Sequence, residues 1–329
     1  MPASSGLRRD PTLDLVASTH LAEVDAHPPA ASYARVARLI GRYGDSLSRL
    51  RPFAALGADF SARRRALAPV LARSTRAFGF THVGWAETRD ALVVVFGRRA
   101  AEIGPPRVRA EGVTLTVRAP DDAPIEGFLR GPCPPAGPPC SARPRSIEAE
   151  PGPGRAQSMH FTLSGPGRWT TEVLVHGPHG PEIVHLGHWT REASRIRRST
   201  VNSLPERRVS DGIGDWLASL RRRHGRAPAR WRSLALARAA LAHATRVCAD
   251  RWARHRVDGA GPEDRARRRG FDGRVSEVVA IAPTLAAARQ RLEDSPGHLA
   301  SLLLEGATRY GAGTARGEGC RCLVVLLGR

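Results

Sequence analysis

The chain has 329 residues, a net charge of +20 and no lysine, so its 51 basic residues are all arginine. That length suits two or three domains of roughly 100 residues each, and a hydrophobic content of 41% excludes a disordered chain. No apolar run reaches the roughly 18 residues needed to span a membrane.

Lysine is absent while Ala, Arg, Gly and Pro are abundant, which is the mark of a GC-biased coding sequence. Much of the positive charge is therefore compositional background. A field of this sign still attracts acidic polymers or phospholipid headgroups. The arginines are scattered and aromatic residues make up only 5%, which argues against a nucleic-acid interface built on stacking. The N-terminal stretch lacks the apolar segment of a secretory signal. Five cysteines are too few for a disulfide scaffold and odd in number.

Residues 10–75 read as helical, first through "PTLDLVASTHLAEV" with Leu13, Val16, Ala17 and Leu21 at helical spacing, then through "YARVARLIGRYG". "FGFTHVGWAETRDALVVVFGRR" changes to a β-type period and reads as a hairpin. Residues 1–104 thus form an N-terminal α+β domain, closed by the break at "IGPPR".

Residues 105–192 alternate as strands: Val113, Leu115 and Val117; Met159, Phe161 and Leu163; Trp169, Thr171, Val173 and Val175. With a Pro/Gly-rich loop between them, they predict a small β-sandwich. That loop holds Cys133 and Cys140 around "PPAGPP", close enough in sequence to pair. Residues 193–212 read as a polar linker, and 213–329 as a second α+β domain. In it, Leu234, Ala237, Leu241, Ala244, Cys248 and Trp252 suggest one apolar helical stripe. A shorter helix follows through "TLAAARQRLE", and "GCRCLVVLLGR" closes the chain as a buried strand. A disulfide from Cys248 to Cys320 or Cys322 would tie helix to strand, and a buried thiol is the alternative.

The two α+β segments share Gly-x-Thr-x-x-Gly followed by Leu-Val-Val-x-x-Gly-Arg, ending at Arg98 and Arg329. This predicts an internal repeat whose first copy is degenerate. Counting back from Gly84 and Gly311 without gaps sets Leu71 opposite His298, an apolar residue in one copy and an imidazole in the other.

The polar residues that stand out are His255 after the long helix, Glu277 in "RVSEVVA" and His298 in "SPGHLASLL". Two imidazoles and a carboxylate suit a divalent metal such as Zn2+ with open positions, or a base with its orienting acid. A second group, His176, His179, His185 and His188, lies on alternating strand positions and a turn, where exposure explains it as well as metal binding does. "RARRRG", Arg265 to Gly270, could guide an anionic ligand or form a solvated helix face. No phosphate loop, nucleophile elbow or CxxC pair is present.

Taken in order, His255, "RARRRG", "SEVV" with Glu277, "SPGH" ending at His298 and "YGAG" from Tyr310 to Gly313 resemble the CAP superfamily (cysteine-rich secretory, antigen 5, pathogenesis-related 1) in its bacterial form. The resemblance covers about residues 213–329. It implies an α-β-α sandwich with a cavity lined by His255, His298 and Glu277, and an extracellular or periplasmic location. Some members of the family bind Zn2+ or other divalent ions in that cavity, and others bind sterols or lipids. The chain departs from the pattern at Val278, Ser276 and Leu292, where the family has Asn, Gly and Trp. The second cavity acid is unassigned, with Glu293 and Asp294 as candidates. The family shares no one enzymatic activity. The expectation is therefore a protein that binds a metal or small ligand; the alternatives are a hydrolase in which Glu277 and a histidine activate water, or a basic adhesion module for acidic polymers.

Overall fold

The structure is a computed structural model. It describes residues 7–24, 49–56, 79–119, 123–133, 144–151, 156–193, 195–199, 212–317 and 319–329, with isolated positions between 59 and 69. The chain divides into two compact units, Met1–Ala100 and Ala101–Arg329. Both mix helices and strands, so the fold class is α+β.

In the first unit, β1 (Arg8–Arg9), β2 (Arg49–Leu56), β3 (His82–Glu87) and β4 (Ala91–Arg98) form one sheet in the order β1-β3-β4-β2. Helix α1 (Pro11–Val24) starts where Asp10 Oδ1 accepts the amides of Thr12 and Leu13, a side-chain cap for orphan donors. Its Leu13, Val16, Ala17 and Leu21 are buried against Ala91, Val93 and Val95, as their spacing predicts. The helical reading of residues 10–75 fails at β2, because "RLRPFAAL" pairs along its whole length with β4. Sheet pairing overrides the weak local propensity there. The expected helix at 33–44 and Leu71 lie outside the described residues.

The second unit begins with two antiparallel five-stranded sheets. One contains β5 (Glu102–Ile103), β6 (Arg107–Val108), β7 (Gly112–Arg118), β10 (Glu150–Pro151) and β11 (Ala156–Thr162). The other runs β14 (Ile196–Arg198), β13 (Gly180–Arg191), β12 (Gly167–Gly177), β8 (Ile125–Cys133) and β9 (Arg145–Ile147). The strands meet face to face at Gly127 of β8, where a Cβ would stand 2.3 Å from Met159 Cε of β11. Val113, Leu115, Val117, Met159, Phe161, Trp169 and Val173 are buried, as the alternation requires. Strand β14 falls inside the segment expected to be linker.

The C-terminal part contains α2 (Ile213–Arg223), β15 (Trp231–Arg232), α3 (Leu234–Asp250), α4 (Pro262–Arg267), β16 (Val275–Ala282), α5 (Leu285–Asp294), α6 (Pro296–Leu302), β17 (Arg309–Gly317) and β18 (Cys320–Gly328). Its sheet order is β15-β17-β18-β16. On one face, Trp216, Leu217 and Leu220 of α2, Leu292 of α5 and Leu299 and Leu302 of α6 pack with Val278, Ala280, Leu323, Val325 and Leu327. Helix α3 covers the other face, giving α-β-α layers. It comes so close that a Cβ on Gly311 would stand 2.2 Å from the Leu236 carbonyl carbon, and one on Gly313 2.2 Å from the Leu241 amide. Its buried stripe is Leu236, Ala237, Ala240, His243, Ala244, Val247 and Cys248. Of the predicted stripe, Ala237, Ala244, Cys248 and Trp252 are buried, whereas Leu234 and Leu241 are exposed. The glycines, which admit backbone rather than side chain, choose the contact line.

The sheets of the two units share strand order, and in both the first strand runs parallel to the second strand of that order. Gly84 pairs with Val95, which pairs with Pro52; Gly311 pairs with Leu326, which pairs with Glu277. A Cβ on Gly84 would stand 2.2 Å from the Leu13 carbonyl carbon, matching the contact of Gly311 with Leu236.

Cys248 of α3 and Cys322 of β18 form a disulfide. Cys140 and the side chain of Cys133 lie outside the described residues. Two results are expected in urea unfolding followed by circular dichroism. Gly311→Val should cost about 1–3 kcal/mol or more by forcing the helix off the strand, and Cys248→Ser about 2–5 kcal/mol by removing the cross-link.

Candidate functional site

Glu277 sits on β16 at the edge of the C-terminal sheet, and its carboxylate is buried. An ionised carboxylate in such a place requires charge and hydrogen-bond partners. Arg265 Nη2 of α4 lies 2.6 Å from Glu277 Oε2. His255 Nδ1 lies 3.0 Å from Oε1, and His243 Nε2 of α3 is 3.6 Å from the same oxygen. Burial alone would raise the carboxyl pKa; the His255 hydrogen bond and the charges of His243, His255 and Arg265 more than offset it and hold the group below its usual value. An ionised carboxylate only accepts, so His255 Nδ1 must carry the proton. In the neutral form of the ring, Nε2 is then the acceptor.

Arg265 also donates to the carbonyls of His255 and Ala260, 2.9 and 2.8 Å away, tying α4 to the loop that bears His255. Within "RARRRG", Arg265 therefore turns inward, while Arg267, Arg268 and Arg269 stay exposed. His243 donates Nε2–H to the Arg254 carbonyl at 2.8 Å. Burial, the largest influence, lowers its pKa despite the neighbouring Glu277.

His298 occupies the third position of α6, and the Ser-Pro-Gly ahead of it is the helix start. Ser295 is the N-cap, Pro296 fits the first turn where no amide hydrogen is needed, and Ser295 Oγ accepts the His298 amide at 3.3 Å. The same oxygen lies 2.8 Å from His298 Nδ1. Burial, reinforced by nearby His255, pushes the His298 imidazole down to about 3. His298 is thus an electrostatic neighbour of His255 but belongs to a separate hydrogen-bond group.

The β-rich part reaches this region at two points. The His179 carbonyl, in the turn between β12 and β13, accepts the amides of His255 and Arg256 at 3.0 and 2.9 Å. Glu172 of β12 places Oε1 2.7 Å from Ser295 Oγ and Oε2 2.5 Å from the Gly297 amide. Burial pushes the Glu172 carboxyl up to about 7, opposed by those two hydrogen bonds. Sequence reading missed Glu172, Ser295 and His243. Glu172 sits in the polar phase of an alternating strand and looks solvent-facing; His243 is a polar residue in a helix of Leu and Ala.

Neither candidate second acid faces these histidines by hydrogen bond. Glu293 accepts Trp216 Nε1 at 2.6 Å and Arg223 Nη2 at 2.9 Å. Asp294 accepts the Gln290 amide at 2.8 Å, and burial pushes its carboxyl up to about 6. Val278 and Leu292 are core residues.

The four strand and turn histidines take separate partners. His176 faces Glu126 at 3.3 Å, His179 stacks edge-on against Trp252 with ring centroids 4.4 Å apart, His185 contacts Thr171 Oγ1 at 3.2 Å and His188 contacts Thr170 Oγ1 at 3.3 Å. Among the described residues, the one group of three ligand atoms within 4.8 Å of one another is Cys248, Cys320 and Cys322. Two of those sulfurs are already joined as the disulfide.

The His298 imidazole should stay neutral, with no shift to imidazolium resonances in an NMR titration from pH 8 to about 4. Its folded-state pKa lies below the unfolded value of 6.5, so the native chain binds fewer protons. This group therefore withdraws stability as pH falls below about 6.5.

No protein-family model matches the chain, and a search of curated proteins finds no match. Among solved structures, an outer surface protein of Borrelia burgdorferi is similar at 19% identity and a TM-score of 0.33, over 36% of this chain and 89% of that one. An extracellular protein of Bacillus anthracis containing an SCP domain is similar at 17% identity and a TM-score of 0.33, over 51% of this chain and 66% of that one.

Proposed function

We propose that this chain is an extracytoplasmic CAP-like binding protein in which His255 and His298 present imidazole nitrogens to a divalent cation or small polar ligand, with Glu277 orienting the first of them. The observation that carries the reading is the bond each ring makes through Nδ1. His255 is held by the Glu277 carboxylate and His298 by the Ser295 hydroxyl. Metal-binding histidines are held in this way by an acceptor behind the ring. The donor set is two nitrogens of the type zinc accepts, and a bound cation would supply Lewis acidity and open positions for a ligand. The disulfide between Cys248 and Cys322 favours an oxidising compartment. No helix among the described residues is long and apolar enough to cross a membrane.

A binding role is favoured over hydrolysis because both oxygens of Glu277 are engaged, one by Arg265 and the other by His255. A general base for water needs an acceptor open to solvent. Glu277 serves here as an orienting acid.

We also propose that the first unit is a degenerate copy of the C-terminal sheet and helix. Shared strand order and matched glycines support it. Counting from Leu13 and Leu236, His20 corresponds to His243, and both are buried. Pro52 occupies the register position of Glu277, so that copy has no orienting carboxylate there.

Zinc titration by calorimetry tests the site. His255→Ala and His298→Ala should each weaken binding by about tenfold or more relative to wild type, and equal affinity in all three proteins would sink the metal reading. Glu277→Gln should fall in the same range, since it releases His255 without removing it.

A further inference from the structure

We propose that Glu172, supplied by the β-rich part of the chain, is a positioning residue that sets the tautomer of His298 through Ser295, holding the proton on Nδ1 and the lone pair on Nε2. The inference deepens the binding role given to His298 above and rests on it. It assigns to the site a carboxylate from outside the segment that carries the CAP-like motifs.

Glu172 Oε2 accepts the Gly297 amide at 2.5 Å, and Oε1 lies 2.7 Å from Ser295 Oγ. Above the value of about 7 to which burial pushes it, Glu172 is a carboxylate and only accepts, so Ser295 gives it its single hydroxyl proton. The Ser295 oxygen is left with lone pairs alone. One receives the His298 backbone amide at 3.3 Å, and the other faces His298 Nδ1 at 2.8 Å. Two lone pairs cannot share a hydrogen bond, so Nδ1 carries the ring proton. Nε2 is then the acceptor, the form a cation or a donor ligand requires.

Packing holds the relay in place. Glu172 and Ser295 are buried, and α6 lies against β12 and β8 at Gly297. A Cβ there would stand 3.2 Å from Glu172 Oε2, 3.3 Å from Leu174 and 3.4 Å from Phe128. With little room to shift and no water needed, the hydroxyl has few other partners. His255 is held by Glu277 in the matching way, so the two rings reach their binding form through different parts of the chain.

Replacing Glu172 by glutamine reverses the relay. The amide oxygen keeps the Gly297 bond, so the amide NH2 faces Ser295 and donates to it. The hydroxyl proton then turns to His298 Nδ1, and the ring proton moves to Nε2.

The test is long-range 1H–15N correlation NMR of the full-length protein with labelled histidine, at about pH 8.5, where Glu172 is ionised, and without added metal. Wild type and Ser295→Thr should show His298 protonated at Nδ1. Glu172→Gln should show it at Nε2, with zinc affinity reduced about 10- to 100-fold. Ser295→Ala, which removes the relay atom without touching Glu172, should lose the fixed Nδ1–H form and covers the case in which Glu172→Gln does not fold. An Nε2–H ring in wild type, or an unchanged ring in either folded variant, would overturn the proposal. Should the tautomers behave as expected while wild type binds no zinc, the relay stands and the metal reading alone falls.

Discussion

A carboxylate kept ionised away from water costs on the order of tens of kcal/mol unless charge and hydrogen bonds are brought to it. Glu277 imposes that requirement at the edge of the C-terminal sheet, and much of the local architecture answers it. Helix α3 supplies His243, α4 supplies Arg265, and the loop between them supplies His255. Arg265 is the tie that makes these a unit, because the same guanidinium that neutralises Glu277 holds the His255 and Ala260 carbonyls. The orientation of His255 follows from the charge balance.

A second buried carboxylate does related work from a different part of the chain. Glu172 meets the start of α6 with one oxygen on a backbone amide and one on the Ser295 hydroxyl. Together with the His179 carbonyl that caps the amides of His255 and Arg256, it makes the β-rich sheets part of the support of both histidines. The compact unit accordingly runs from Ala101 to Arg329 without a break between sheets.

The sheet of the first unit has the same strand order but lacks this charge problem. Where Glu277 stands in one register, Pro52 stands in the other, and a proline needs no counter-ion. What the two sheets keep in common is the close helix crossing, which depends on Gly84 and Gly311 having no side chain.

Periodicity in the sequence was enough for the strands of residues 105–192 and for α1, because these depend on alternation and spacing. His255, Glu277 and His298 were legible as an ordered set of motifs. Local pattern failed where a neighbour decides. "RLRPFAAL" became β2 only by pairing with β4, and Leu234 and Leu241 stay exposed while α3 meets the sheet along Gly311 and Gly313. The tertiary structure alone decided that Arg265 turns inward from a charged run, that Glu293 belongs to Trp216 and Arg223, and that Glu172 meets Ser295. The physical reason is common to all of these. Alternation and helical spacing report which side of an element is apolar, whereas a buried charge is matched by groups 12 to 125 positions away, and only folding brings those together.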